Sequence, residues 1–301
     1  MSCGCAALEL RLTQAVGRSL RARGAAKSET ALTTRRRTVM NAFQGPLDSL
    51  PLWLLFAATV TLIFAAVEAG YRLGRYRRVH LPEKEAPVGA MAAAMLGLLA
   101  FMLAFTFGLA ATRFDERRHA ILNESNAIGT TYLRAEMLPS PNRAQVRELL
   151  RAYVDARVEG VATGQLNEAI ARSQELQREL WAEATAVAEA DPHSIVNGLF
   201  IQSLNEMIDL HSTRVMVGLR SRIPAVIWGA LYFVATLTMT TMGYHEGLTG
   251  ARRSLASFAL VVAFSSILFM TVDLDRPQEG LLRISQQSVL DLQQFMHAAE
   301  E

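Results

Sequence analysis

Residues 98–139 read LLAFMLAFTFGLAATRFDERRHAILNESNAIGTTYLRAEMLP. Residues 98–112 of this stretch carry no charge, whereas residues 113–134 (RFDERRHAILNESNAIGTTYLR) are dense in Arg, Asp, Glu, Asn and Thr. A change from lipid-compatible to water-compatible residues usually coincides with a loop, yet nothing here stops a helix. No proline lies between Pro87 and Pro139. Isolated glycines such as Gly108 and Gly129 cost a helix only about 1 kcal/mol each against alanine. The stretch therefore predicts one continuous helix over 88–137, roughly 75 Å long at 1.5 Å per residue. Its first half belongs in lipid and its second half in water, with Arg113, Arg117 and Arg118 at the boundary.

The rest of the chain fits around this helix. Four blocks lack any Asp, Glu, Lys or Arg: 50–67, 86–112, 223–244 and 254–272. Each approaches or exceeds the roughly 20 apolar residues that a spanning helix needs. The fold class expected is an all-α integral membrane protein with four transmembrane helices, the second continuing as the long helix. The parts are a first transmembrane pair (40–112), an extramembrane helical bundle (113–222), a second pair (223–272) and a C-terminal amphipathic tail (273–301). Small residues in the second span (Gly89, Ala90, Ala92, Ala93, Ala94, Gly97) suit close helix approach. Pro82 and Pro87 read as the tight turn between the first two spans.

Within the bundle, three helices follow the long one. The first opens after LPSPNR with Asn142 as its cap and carries Val146, Leu150, Tyr153 and Val154 at helical spacing. TGQLN ends it, and ADPH ends the next. The last carries Phe200, Leu204 and Met207 and leads to the third span. The tail helix carries Leu282, Val289, Leu292 and Phe295.

Residues 1–39 hold eight Lys or Arg and little apolar periodicity. They read either as a disordered basic arm touching anionic lipid or as a misassigned start, with Met40 opening the functional chain. The two cysteines, Cys3 and Cys5, imply no disulfide framework. A net charge of +2 gives no reason to expect nucleic acid. Basic residues do not choose a side for the bundle: seven flank the spans on one side and eight on the other.

The chain has no HExxH, no Walker loop, no GxSxG and no CxxC. No enzyme activity and no cofactor are expected, and no metal site is assigned. His119 and Asn123 share a helix face, but such a pair is ordinarily solvated. Glu68, near the end of the first span, reads as an interfacial acid paired with Arg72 four residues on. Two polar stretches ask for more. On the long helix Asn123, Glu124, Ser125, Asn126, Thr130 and Thr131 occupy nearly every face. They either bond between helices or line something wet. After the fourth span, DLDRPQEG (273–280) crowds Asp273, Asp275, Arg276 and Glu279 at the membrane exit, where Pro277 and Gly280 shape a turn.

These stretches, together with LLRAYVDARVE (149–159) and DLDRPQEGLLRISQQ (273–287), resemble the bestrophin-like domain family of bacterial membrane proteins. The resemblance runs from about Leu50 to Phe295. It implies four membrane helices, a helical extramembrane part, a homo-oligomer (a pentamer) in the bacterial inner membrane, and inorganic anions as permeants. Bestrophins narrow their pore with an apolar stripe on the second span. Phe101, Phe105 and Leu109, at i, i+4 and i+8, match that stripe, and Arg113 and Arg117 prolong the series as an anion-attracting ring. DLDRPQEG stands where bestrophins carry an acidic turn, without a full run of calcium-ligating acids. The alternative expectation is a non-conducting scaffold or signalling adaptor that binds partners through its bundle.

Overall fold

The computed structural model of the chain describes residues 51–80, 85–250, 255–276 and 280–298. The arm 1–39, the start at Met40, and Pro82, Pro277 and Glu279 lie outside the described residues. The order is α1 (Leu52–His80), α2 (Glu85–Ala135), α3 (Asn142–Thr163), α4 (Leu166–Ala190), α5 (Ile195–Val215), a π-helical turn (Met216–Arg220), α6 (Ala225–Thr249), α7 (Leu255–Asp275) and α8 (Gln287–Ala298). Among the described residues there is no strand. Four helices are long and apolar enough to cross a membrane: α1, α2, α6 and α7. The protein is an all-α membrane protein with a helical bundle between its second and third spans.

Helix α2 is the expected continuous one, 51 residues without a break. It passes through Gly108 and Gly129, where the apolar and polar halves share one backbone hydrogen-bond ladder. Pro87 lies inside its first turn rather than in the preceding connection, because a proline there displaces no intrahelical bond. The helix ends at Ala135, two residues before the expected limit, in a series of i→i+3 turn bonds that runs up to Pro139.

The closest approach within the membrane lies in α1 and α6, not in the small residues of α2. Gly70 and Gly74 of α1 face Gly243 and Gly247 of α6. A Cβ on Gly70 would overlap the carbonyl oxygen of Thr240, and one on Gly74 that of Tyr244. The relation is reciprocal, since Cβ atoms on Gly243 and Gly247 would overlap the carbonyls of Val67 and Tyr71. Two GxxxG spacings thus let the helices meet backbone to backbone, where dispersion rather than hydrophobic burial drives association. A Cβ on Gly97 of α2 would meet nothing within 4 Å among the described residues. Thr59 and Tyr232 add a hydroxyl pair at 2.9 Å between α1 and α6. Helix α7 is the inner span, with 44% of its apolar window covered against 22% for α1 and α2.

In the bundle, Ile128 and Tyr132 of α2 meet Leu150 and Tyr153 of α3, Leu176 and Leu180 of α4, and Phe200, Leu204 and Met207 of α5 in one core. Helix α2 packs against α3, α5 and α8, while α4 packs mainly against α3 and α5. Asn142 does not cap α3. Pro141 holds that position without a side-chain bond, and Asn142 Nδ2 instead donates to Glu183 of α4 at 2.8 Å. Gly164, at φ 72°, ends α3 in the left-handed conformation that suits glycine. The tail helix is shorter than its sequence pattern suggested. Leu282 lies before α8 and is exposed, and Phe295 is also exposed, whereas Val289 and Met296 enter the core. Ser125 Oγ and Tyr132 OH donate to the Ser288 and Met296 carbonyls and fasten α8 to α2.

Candidate functional site: the outer line of the long helix and its supports

Helix α2 has two opposite lines. At 3.6 residues per turn, each residue turns about 100°. The covered line runs through Leu99, Leu103, Thr106, Ala110, Arg117, Ala120, Glu124 and Ile128. The uncovered line runs through Phe101, Phe105, Gly108, Thr112, Asp115, His119, Leu122, Asn126 and Thr130, all exposed. Phe101 and Phe105 are 70% and 62% exposed, left uncovered by the other described residues.

This geometry revises the stripe read from the sequence. A series at i+4 drifts by about 40° per step around a helix. Phe101 and Phe105 therefore share a face, Leu109 has begun to leave it, and Arg117 has swung about 160° to the opposite side. Leu109 and Arg113 are half-buried, and Arg113 donates to Ser221 Oγ at 2.6 Å. Arg117 is only 2% exposed. Its guanidinium donates to the carbonyls of Leu274 at 3.1 Å and Asp275 at 3.0 Å. These are orphan carbonyls at the C-terminus of α7, where a cation also meets the negative end of the helix dipole. Arg117 is a clasp between α2 and α7, not a charge on the uncovered line.

The turn after the last span is a second clasp. Asp273 accepts from the Leu281 and Leu282 N–H groups at 2.9 and 3.1 Å, one oxygen to each. Gly280 sits against this carboxylate, and a Cβ there would stand 2.5 Å from Asp273 Oδ1. Asp275 Oδ1 accepts from Ile223 N at 3.1 Å, which ties the end of α7 to the approach to α6. Arg222 donates to the Asp275 carbonyl at 3.0 Å. Asp273, Asp275 and Arg276 are buried. Among the described residues no three His, Cys, Asp or Glu side chains gather around a point where a metal ion could sit. Near the far end of α1, Arg72 Nε meets Glu68 Oε1 at 2.8 Å, the interfacial pair read from their spacing.

The polar patch on α2 conceals a buried centre. Glu124 is fully buried. Arg157 of α3 meets it at 2.9 Å and Arg214 of α5 at 2.5 Å. Tyr153 OH donates to Glu124 Oε1 at 2.9 Å and lies 2.9 Å from His211 Nδ1. With the phenol O–H directed at the carboxylate, the phenol oxygen is placed to accept from His211 Nδ1 in the tautomer that carries its proton there. Burial alone would raise the Glu124 carboxyl. The His211 hydrogen bond and the Arg157 and Arg214 charges outweigh burial and hold it at about 2. Burial, then the Glu124 charge, pushes the Tyr153 phenol above its ordinary range. One carboxylate thus joins α2, α3 and α5. The sequence reading flagged Glu124 but none of its partners. The signal was there: Arg157 follows Tyr153 by four residues on the buried face of α3, and His211 and Arg214 share a face of α5.

Comparison with known proteins matches this architecture. A family described as bestrophin-like domain matches residues 54–289. No curated protein matches significantly. A variant of a bacterial bestrophin homologue from Klebsiella pneumoniae superposes with a TM-score of 0.60 at 16% identity, covering 83% of this chain and 98% of that one. Another structure of a Klebsiella pneumoniae bestrophin homologue gives 0.56 at 17% identity, covering 80% and 98%. A variant of a structure described only as a membrane protein gives 0.61 at 16%, covering 82% and 97%. At such identity the likeness is one of fold, over nearly the whole of each neighbour. The match over residues 54–289 takes in all four spans and the bundle, and the chain belongs to the bestrophin-like domain family.

Proposed function

We propose that this protein is an oligomeric ion channel of the bacterial inner membrane, with α2 of each copy set against a common axis. The observation that carries this reading is the uncovered line of α2. It is aromatic within the span, at Phe101 and Phe105, and polar beyond it, from Thr112 to Thr130, on one unbroken helix. An axial pore requires a closed ring of copies, and the family resemblance points to five. In such a ring Phe101 and Phe105 form an apolar neck that closes to ions by dewetting. Arg117 and the Glu124 centre hold the line rigid from the covered side. The experiment is conductance of the purified full chain in planar bilayers. Phe105→Ala widens the neck and raises the current over the wild type. Silence of both proteins overturns the reading.

One observation favours a non-conducting scaffold instead. Beyond the membrane, Leu133, Met137 and Ile195 are exposed apolar side chains at one end of the bundle. A protein that serves only to hold a partner there passes no current, so the same bilayer recording separates the two readings.

A further inference from the structure

Resting on the channel reading, the geometry points to Asp115 as the residue that sets ion selectivity, and to cations as the ions selected. The uncovered line that starts at Phe101 and Phe105 next passes Gly108 and Thr112, which are uncharged. The first charged side chain on it is Asp115, within about 40° of Phe101. Glu116 flanks it on the other side, about 60° from Phe101 and about 20° from Phe105, and His119 lies directly below Phe101, five turns on. The arginines of this region lie elsewhere: Arg118 at about 100°, Arg113 at about 120° and Arg117 at about 160° from the same reference. Two of them are also engaged, Arg113 with Ser221 and Arg117 with the end of α7. Asp115 is exposed and has no hydrogen-bond or ion-pair partner among the described residues.

Rotational symmetry converts one side chain into a ring. An axis that faces Phe101 and Phe105 in every copy passes between Asp115 on one side and Glu116 on the other, about three turns lower. Rings of carboxylates are the usual device of cation-selective pores, and rings of arginine or lysine that of anion pores. Side chains beyond a Debye length, about 8 Å at physiological salt, contribute little. The first charge beyond the neck therefore outweighs those on the covered face. The sign is opposite to that expected from arginines at 113 and 117.

The test is the reversal potential in a potassium chloride gradient, recorded in planar bilayers. The proteins are the full chain and Phe105→Ala, each alone and with Asp115→Asn, Asp115→Lys or Arg118→Gln. The parents should reverse near the potassium potential. Asp115→Asn should move the reversal toward zero, Asp115→Lys toward the chloride potential, and Arg118→Gln should leave it in place. Asp115 is exposed and without a partner among the described residues, so its variants should fold, and Glu116→Gln gives a second removal of negative charge beside the line with a shift in the same direction. A chloride-selective parent, or a reversal unmoved by Asp115→Asn, overturns the inference while leaving the channel reading intact. Absence of current from both parents overturns the two together.

Discussion

Single residues in this protein act mostly by what they hold. Glu124 was legible as a polar residue on a long helix, but its value depends on Tyr153, Arg157, His211 and Arg214, which are remote in sequence. Only packing brings three helices to one carboxylate, so residue spacing within α2 could not reveal it. Removing one partner of a buried ion pair leaves the other charges uncompensated and costs about 3–5 kcal/mol. Glu124→Gln is expected to lose stability in that range, read by thermal unfolding in detergent. The pH dependence follows from the same group. Its folded-state pKa of about 2 lies below the ordinary 4.5, so the unfolded chain binds this proton more tightly. The contribution is complete above about pH 4.5 and fades as pH falls toward 2. Wild-type unfolding temperature should drop across that interval, and the Glu124→Gln variant should lack that part of the drop. Arg117 teaches a related lesson. The i+4 series that linked it to Phe105 is real in the sequence, but 3.6 residues per turn carries it round to the opposite face.

At the scale of elements, the sequence was most informative where composition forces the outcome. Apolar runs of 18 or more residues without charge fix the four spans, and the missing prolines between Pro87 and Pro139 fix the continuity of α2. Boundaries set by competing bonds were less legible. Asn142 is a favourable cap by type, yet its amide is drawn to Glu183 instead. Leu282 matches the tail periodicity, yet the backbone clasp of Asp273 keeps that segment out of helix. The glycine pairs of α1 and α6 have a plain GxxxG spacing, but a spacing does not name its partner helix. Gly74→Val would drive a branched side chain into the Tyr244 carbonyl. Overpacking of this kind costs about 1–3 kcal/mol or more. The variant is expected to lower the yield of folded protein and its unfolding temperature. The same change at Gly97, where a Cβ would meet nothing within 4 Å among the described residues, should be mild.

At the scale of the molecule, one polypeptide leaves a continuous outer line on its longest helix uncovered by the other described residues, and Arg117 holds that helix to the end of the last span, which Asp273 and Asp275 in turn tie to residues 281–282 and to Ile223. Which way this line faces, toward a common axis or toward lipid, decides whether the protein is an axial channel. The direct measurement is thiol pairing in membranes: Phe105→Cys in a chain with Cys3 and Cys5 replaced by serine, treated with a short bifunctional maleimide. A line that faces a common axis brings the introduced thiols of neighbouring copies together, and covalent dimers of the 33.1 kDa chain should form in high yield. A Phe105→Cys protein that is labelled by a lipid-soluble maleimide but yields no covalent dimer would place the line toward lipid and contradict the axial channel.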